Sequence, residues 1–233
     1  MESERIEAMR YSRQMLLAEL GEEGQKRLKN GKVLVIGAGG LGSPALMYLA
    51  AAGVGTIGIA DADTVEISNL NRQIIHTTAA IGMPKVDSAK ERILALNPNV
   101  QVIVHKQFAT EENIDALIAP YDFVIDATDG VAAKYLINDA CVRAEKAYSH
   151  GGVFGWQGQT FTHIPGSAEL RSFFPTLPCP TKAAQPIIGT TAGIIGVIEA
   201  TEAIKFLAQF PTLNTNRLLC FNALKMDFEV LSV

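Results

Sequence analysis

Short apolar runs alternate along this chain with longer stretches of helical character. Val33-Leu34-Val35-Ile36 is an unbroken apolar run of the kind that forms a strand buried on both faces. A glycine-rich turn leads from it into a helix from about Leu41 to Ala52, which Gly53 and Gly55 end, and Thr56 to Ala60 is a second strand. Another helix starts near Pro84, a residue suited to a first helical position, and stops before Pro98. Val100 to His105 gives a third strand. Thr110 is placed to cap a helix whose first turn carries Glu111 and Glu112, beside the positive end of the helix dipole. Phe123 to Ile125 is a fourth strand, and a helix from about Val131 to Lys146 precedes a fifth near Ala147–Ser149. This β–α alternation predicts an α/β fold, a Rossmann-like and mostly parallel sheet with helices on both faces.

The rhythm changes at both ends. Glu4 to Asn30 is charged and helix-rich, broken at Gly21 and Gly24, and forms an N-terminal helical arm. After Gly151, Val153 to Ile164 alternates with glycines and predicts antiparallel strands. Ser167 to Pro186 is a loop without periodicity, Ile194 to Phe210 is a long amphipathic helix, and Leu218–Phe221 with Met226–Leu231 forms a terminal hairpin. No linker-like segment divides the chain, so residues 1–233 are expected to form a single unit. Within it, 1–30 is the arm, 31–150 the nucleotide-binding core and 151–233 the antiparallel strands, crossover loop and C-terminal helix.

A composition of 48% hydrophobic and 19% charged residues over 233 positions suits a folded domain and excludes a disordered chain. The net charge of −4 gives no reason to expect nucleic acid as a partner. No charged side chain lies between Lys32 and Asp61, but seven glycines and Pro44 interrupt that stretch, so a membrane span is rejected. Met1 to Arg13 is charged and lacks the apolar core of a signal peptide. Cys141, Cys179 and Cys220 form neither a C-x-x-C pair nor an even disulfide framework, which points to a reducing, cytoplasmic setting.

Candidate chemistry begins at Gly37-Ala38-Gly39-Gly40-Leu41-Gly42, a G-x-G-x-x-G turn between strand and helix. Gly37 permits the tight turn, Gly39 lets a phosphate approach the backbone, and Gly42 lets the helix pack on the strand. The N–H groups at the helix start then face an anion. Alone, the turn suggests a dinucleotide. Downstream stand Asp61, Asp63, Asn69, Arg72, Lys85 and Asp129, a set better suited to a triphosphate and a magnesium ion. Asp61 ends the second strand, where an acid can bind ribose hydroxyls, and Asp129 follows the fourth strand, at the edge where open sheets bind ligands.

These residues, with Arg10-Tyr11-Ser12-Arg13-Gln14, Asn69-Leu70-Asn71-Arg72-Gln73, Gly82-x-Pro84-Lys85-Val86 and Asp126-Ala127-Thr128-Asp129, closely resemble the ThiF/MoeB/HesA adenylyltransferases, bacterial relatives of ubiquitin-activating enzymes. The resemblance runs from Arg10 to about Phe228. It implies that the C-terminal glycine of a ubiquitin-like sulfur carrier ending in Gly-Gly attacks the α-phosphate of ATP, giving an acyl adenylate and pyrophosphate. A thiocarboxylate for thiamine or molybdopterin synthesis would follow. It further implies that Gly37, Gly39, Gly40, Gly42, Asp61 and Asp63 bind the nucleotide, that Asn69 and Arg72 contact the phosphates, and that Lys85 sits near the α-phosphate. By the same resemblance Asp129 would serve magnesium or catalysis, and Arg13 would reach across a homodimer into the neighbour's site.

The chain also departs from that family. Glu169 and Ser172 stand where the first of two zinc-binding C-x-x-C pairs would lie, and Val233 precedes the second, so no structural zinc is expected. Gly130 replaces the asparagine that often follows the aspartate. Gln185 occupies the place of the family's sulfur-handling cysteine, and Cys179 between Pro178 and Pro180 is either a displaced acceptor thiol or an unreactive loop cysteine. Cys141 and Cys220 read as core residues. His76, His105, His150 and His163 lack metal-ligand spacing and read as structural or surface, whereas Phe154 and Trp156 either pack or line a carrier groove, packing being preferred. Three rivals remain: an NAD-dependent oxidoreductase, which would not need Arg72 and Lys85; a nucleotide-binding pseudoenzyme; and an adenylyltransferase acting on a peptide or a tRNA base.

Overall fold

The computed structural model describes residues 2–176 and 186–233. The apolar runs become strands β1 (Lys32–Ile36), β2 (Thr56–Ala60), β3 (Gln101–His105), β4 (Phe123–Asp126) and β5 (Ala147–Phe154). They are joined by β6 (Gln157–His163), β7 (Arg217–Asn222) and β8 (Asp227–Ser232) in one sheet of order β3-β2-β1-β4-β5-β6-β7-β8. Pairing is parallel from β3 to β5 and antiparallel beyond it.

Successive side chains of each strand feed opposite faces. Val33, Val35, Ile57, Ile59, Phe123 and Ile125 lie in one core with α3 (Gly42–Ala52), α4 (Lys85–Leu96) and α8 (Gly189–Leu207). Leu34, Ile36 and Val124 lie in a second core with α5 (Ile114–Ile118) and α6 (Val131–Arg143). Burial on both faces is the physical reason the strand sequences are continuously apolar rather than alternating.

The arm consists of α1 (Glu2–Met15) and α2 (Gly21–Asn30). Its break falls at Leu16–Leu20, so Gly24 sits inside α2, where the Leu20 side chain leaves no room for a Cβ. Amides of Gln14 and Gln25 donate to Ala52 O at 2.8 and 3.1 Å, and Arg27 donates to Ala208 O at 3.0 Å. The arm therefore closes the ends of α3 and α8 at the sheet's N-terminal edge.

Four boundaries differ from the sequence reading. Pro84 is the residue before α4 rather than its first. Thr110 does not cap α5: the residue before the helix is Asn113, whose Oδ1 accepts the Thr110 N–H at 2.8 Å, and the Thr110 side chain bonds Glu112 instead. The fifth strand and the first antiparallel strand are one continuous β5 that pairs with β4 and then with β6. Helix α8 begins at Gly189, before Ile194, and the loop after β6 contains a short helix α7 (Leu170–Phe173).

Candidate active site

Strand β1 has β2 on one side and β4 on the other, so consecutive connections diverge at its C-terminal end. Such a switch point opens a crevice for ligands. Gly37 turns there with φ +103°, and a Cβ on it would lie 2.5 Å from Ala127 O at the end of β4. A Cβ on Gly42 would lie 2.0 Å from Gly37 O, so α3 can start only against a bare α-carbon. Gly39 is the open member, with only Gln73 Nε2 within 4 Å, at 3.7 Å. Among the described residues, the N–H groups of Gly39 and Gly40 meet no acceptor and stay available to an anion.

Asp61 is 8% exposed at the end of β2. Its Oδ2 accepts the Ala38 N–H and its Oδ1 the Asp63 N–H, both at 2.8 Å. Lys85 opens α4 and donates from Nζ to Asp63 Oδ2 at 2.8 Å; its side chain is only 8% exposed while that of Asp63 is 54% exposed. Asn69 is buried and holds its own turn, accepting the Glu66 N–H at 3.0 Å. Arg72 lies along the glycine turn, with Cγ 3.6 Å from the Cβ position of Gly40, and its guanidinium donates to Ser68 O at 2.9 Å and to Asn71 Oδ1 at 3.1 Å. The fold thus gathers Gly37, Gly39, Gly40, Gly42, Asp61, Asp63, Asn69, Arg72 and Lys85 around one mouth. Asp129 follows β4 and is exposed, in sequence directly after the Ala127–Thr128 backbone that meets Gly37.

Arg13 is not brought to this mouth within the chain. It precedes Gln14, which binds the last residue of α3, and the length of that helix, roughly 16 Å, separates it from the glycine turn. Cys179 and Gln185 lie outside the described residues. Glu169 and Ser172 form a reciprocal capping box on α7, and Glu169 also accepts from Asn138 Nδ2 at 2.6 Å. Cys141 is buried, which pushes its thiol up to about 12, and burial also raises Cys220; both are poor nucleophiles. Phe154 and Trp156, expected to pack, are 56% and 45% exposed, because the tight turn at Gly155 projects them from the β5–β6 connection.

The sequence reading missed two clusters. Asp126 is fully buried beneath the Thr128–Asp129 segment and accepts from Thr128 Oγ1 at 2.6 Å, His150 Nδ1 at 3.1 Å and Lys134 Nζ at 3.3 Å. Burial alone would raise its pKa, but Lys134, His150 and Thr128 outweigh that and hold it at about 2. Burial keeps His150 neutral, so it donates to Asp126 as an uncharged imidazole. A lone lysine in the otherwise apolar run Val131–Ile137 was the available signal for Lys134. In the second cluster, His76 lies between Ser88 and the glycine turn, and no spacing in the sequence announced it.

A parallel sheet with an open glycine turn, an acid at the end of β2 and cations around the same crevice defines a nucleotide-binding α/β protein of the Rossmann type. More particularly, the chain belongs to the ThiF family, whose model matches residues 11–233. It is 41% identical over 234 residues to the sulfur carrier protein adenylyltransferase of Thermus thermophilus, covering 96% of this chain and 86% of that one. It is 42% identical over 232 residues to the adenylyltransferase and sulfurtransferase MOCS3 of Anopheles gambiae, covering 97% of this chain and 53% of that one. The chain spans 53% of that relative and 61% of MoeZ of Mycobacterium tuberculosis, a probable adenylyltransferase/sulfurtransferase. Among solved structures, E. coli MccB superposes with a TM-score of 0.86 at 20% identity, covering 97% of this chain and 71% of that one, a likeness of fold.

Proposed function

We propose that this protein adenylylates the C-terminal glycine of a ubiquitin-like sulfur carrier. The carrier's carboxylate oxygen attacks the α-phosphorus of ATP, the carboxyl–phosphorus bond forms, and the bond to the β-phosphate breaks, releasing pyrophosphate with the electron pair. The observation that carries this reading is the placement of two cations, Arg72 against Gly40 and Lys85 at the Asp61–Asp63 strand end, around one open glycine turn. Phosphoryl chemistry depends mainly on positioning and on neutralising charge, and this mouth supplies both. A nicotinamide site would have no use for the second cation.

Asp129, exposed just after the Ala127–Thr128 backbone that meets Gly37, would hold a magnesium ion, which binds through one or two carboxylates plus phosphates. Bound there, the ion would neutralise phosphate charge. The proposal includes a homodimer in which Arg13 completes the neighbour's site, since the arm holds it at the wrong end of its own sheet. It also includes one adenylyltransferase domain over residues 1–233, a cytoplasmic setting and no structural zinc. No described helix is long and apolar enough to cross a membrane.

The test is ATP–pyrophosphate exchange with candidate carriers ending in Gly-Gly, followed by mass spectrometry for the thiocarboxylate formed when a sulfur donor is added. Exchange that depends on the carrier supports the reading. Tight NAD binding without ATP binding refutes it, as does exchange driven only by a peptide or a tRNA.

A further inference from the structure

Ala38, between the first two glycines of the turn, has both sides of its backbone committed. Its N–H is donated to Asp61 Oδ2 at 2.8 Å, and its carbonyl faces His76 Nε2 at 2.9 Å. A carbonyl only accepts, so Nε2 carries the proton, and His76 Nδ1, 2.9 Å from Ser88 Oγ, accepts from that hydroxyl. His76 is 5% exposed and Ser88 2%, so neither bond competes with water. The chain of contacts runs from α4 through Ser88 and His76 into the glycine turn, one helical turn from Lys85.

This arrangement has an electrostatic consequence. A carbonyl oxygen pointing at a phosphate repels it, whereas the N–H groups of Gly39 and Gly40 attract it. Drawing the Ala38 carbonyl back into the protein leaves the turn presenting donors alone. Burial lowers the pKa of His76, with Lys85 acting the same way while the bond to Ala38 and the charge of Asp61 oppose it; the imidazole is neutral at pH 7 and adds no competing charge.

We propose that His76 is a positioning residue for nucleotide binding, holding the Ala38 peptide so that the glycine turn offers only N–H groups to the phosphates. This deepens the adenylyltransferase reading and rests on it for the identity of the nucleotide.

The test compares His76→Ala and His76→Gln with the unaltered protein. Gln can place an amide N–H near the Nε2 position and restore the bond to Ala38 O. His76→Ala is expected to raise KM for ATP in pyrophosphate exchange about tenfold, ~1.4 kcal/mol, with a smaller change in kcat. It should also speed hydrogen exchange at the Ala38 amide, whose N–H is held by Asp61 Oδ2, and His76→Gln should recover most of both effects. Unchanged KM and unchanged amide exchange in His76→Ala overturn the proposal. So does a His76→Gln variant as impaired as His76→Ala, because that outcome assigns His76 to packing. If the unaltered protein exchanges no pyrophosphate, the adenylyltransferase reading fails alone. Exchange of the Ala38 amide then still decides whether His76 holds the turn.

Discussion

Replacing Asp126 by Asn tests whether the segment carrying Asp129 depends on the buried charge beneath it. The carboxyl is fully buried, and its pKa falls from an ordinary 3.8 to about 2 because Lys134, His150 and Thr128 overcome the cost of burial. That shift corresponds to about 2 kcal/mol of stability. Its folded-state pKa lies below the unfolded value, so the contribution is complete above about pH 4 and disappears as the pH falls through 2. Asn keeps the size and one acceptor oxygen but leaves Lys134, whose side chain is 11% exposed, with no buried counter-charge. Breaking a buried pair on one side costs about 3–5 kcal/mol. Urea unfolding at pH 7 should therefore show Asp126→Asn destabilised by roughly 3 kcal/mol, with the gap narrowing by ~1 kcal/mol at pH 3 as the unaltered protein loses its advantage. Adding Lys134→Met to Asp126→Asn should recover most of the loss, since no unpaired charge then remains buried. A variant within 1 kcal/mol of the unaltered protein at pH 7, or a gap that widens as the pH falls, refutes the reasoning.

Other substitutions probe the remaining parts. Gly42→Ala places a methyl 2.0 Å from Gly37 O, so ATP binding measured by calorimetry should be lost and stability should fall by about 1–3 kcal/mol. Mixed dimers of Arg13→Ala and Asp129→Ala chains should regain exchange activity in one of the two sites, whereas a fully active Arg13→Ala homodimer would remove the trans arginine. Burial raises Glu199 well above the ordinary carboxylate range, so it is held protonated in the fold while the unfolded chain ionises. Its presence therefore costs stability as the pH rises above 4.5, and Glu199→Gln should gain on the unaltered protein between pH 5 and pH 8 in thermal unfolding. Metal analysis of the purified protein should find no stoichiometric zinc; one zinc per chain would contradict the reading drawn from Glu169 and Ser172 at the cysteine positions.

The strands and the mouth of the site were legible because each is written locally. Val33–Ile36 and Phe123–Ile125 are apolar on successive residues since both faces are covered, and the glycine turn joins neighbours in sequence. What escaped notice is written across distance. The start of α8, Gly189-Thr190-Thr191-Ala192-Gly193, has no apolar period because close approach fixes it. A Cβ on Gly189 would lie 2.6 Å from Asn71 O, and one on Gly196 2.2 Å from Leu41 O. Packing overrides helix propensity there. Thr110 looked like a cap because acids follow it, yet its side chain bonds one of those acids, Glu112, and the helix starts only after Asn113. His76 and Lys134 gain their roles from Ala38 and Asp126, partners that no spacing rule connects to them.

Asp61 has a role that its place in a motif does not announce. Position after β2 makes it the expected acid for ribose hydroxyls, and a carboxylate accepts in about four directions. Two of those are spent on the Ala38 and Asp63 amides. An amide side chain could not replace it there, because at least one of its ends would oppose an N–H with an N–H. The requirement for a carboxylate is therefore set by the glycine turn itself, before any nucleotide arrives. Asp63, drawn in by the second of those bonds, in turn faces Lys85. One buried acid is thus bonded both to the glycine turn and to the segment that holds Lys85, while His76 bonds the Ala38 carbonyl of the same turn. The site is built less as a row of side chains than as a backbone loop held from behind, and one of its two cations, Lys85, is held by the Asp63 that the same bonds draw in.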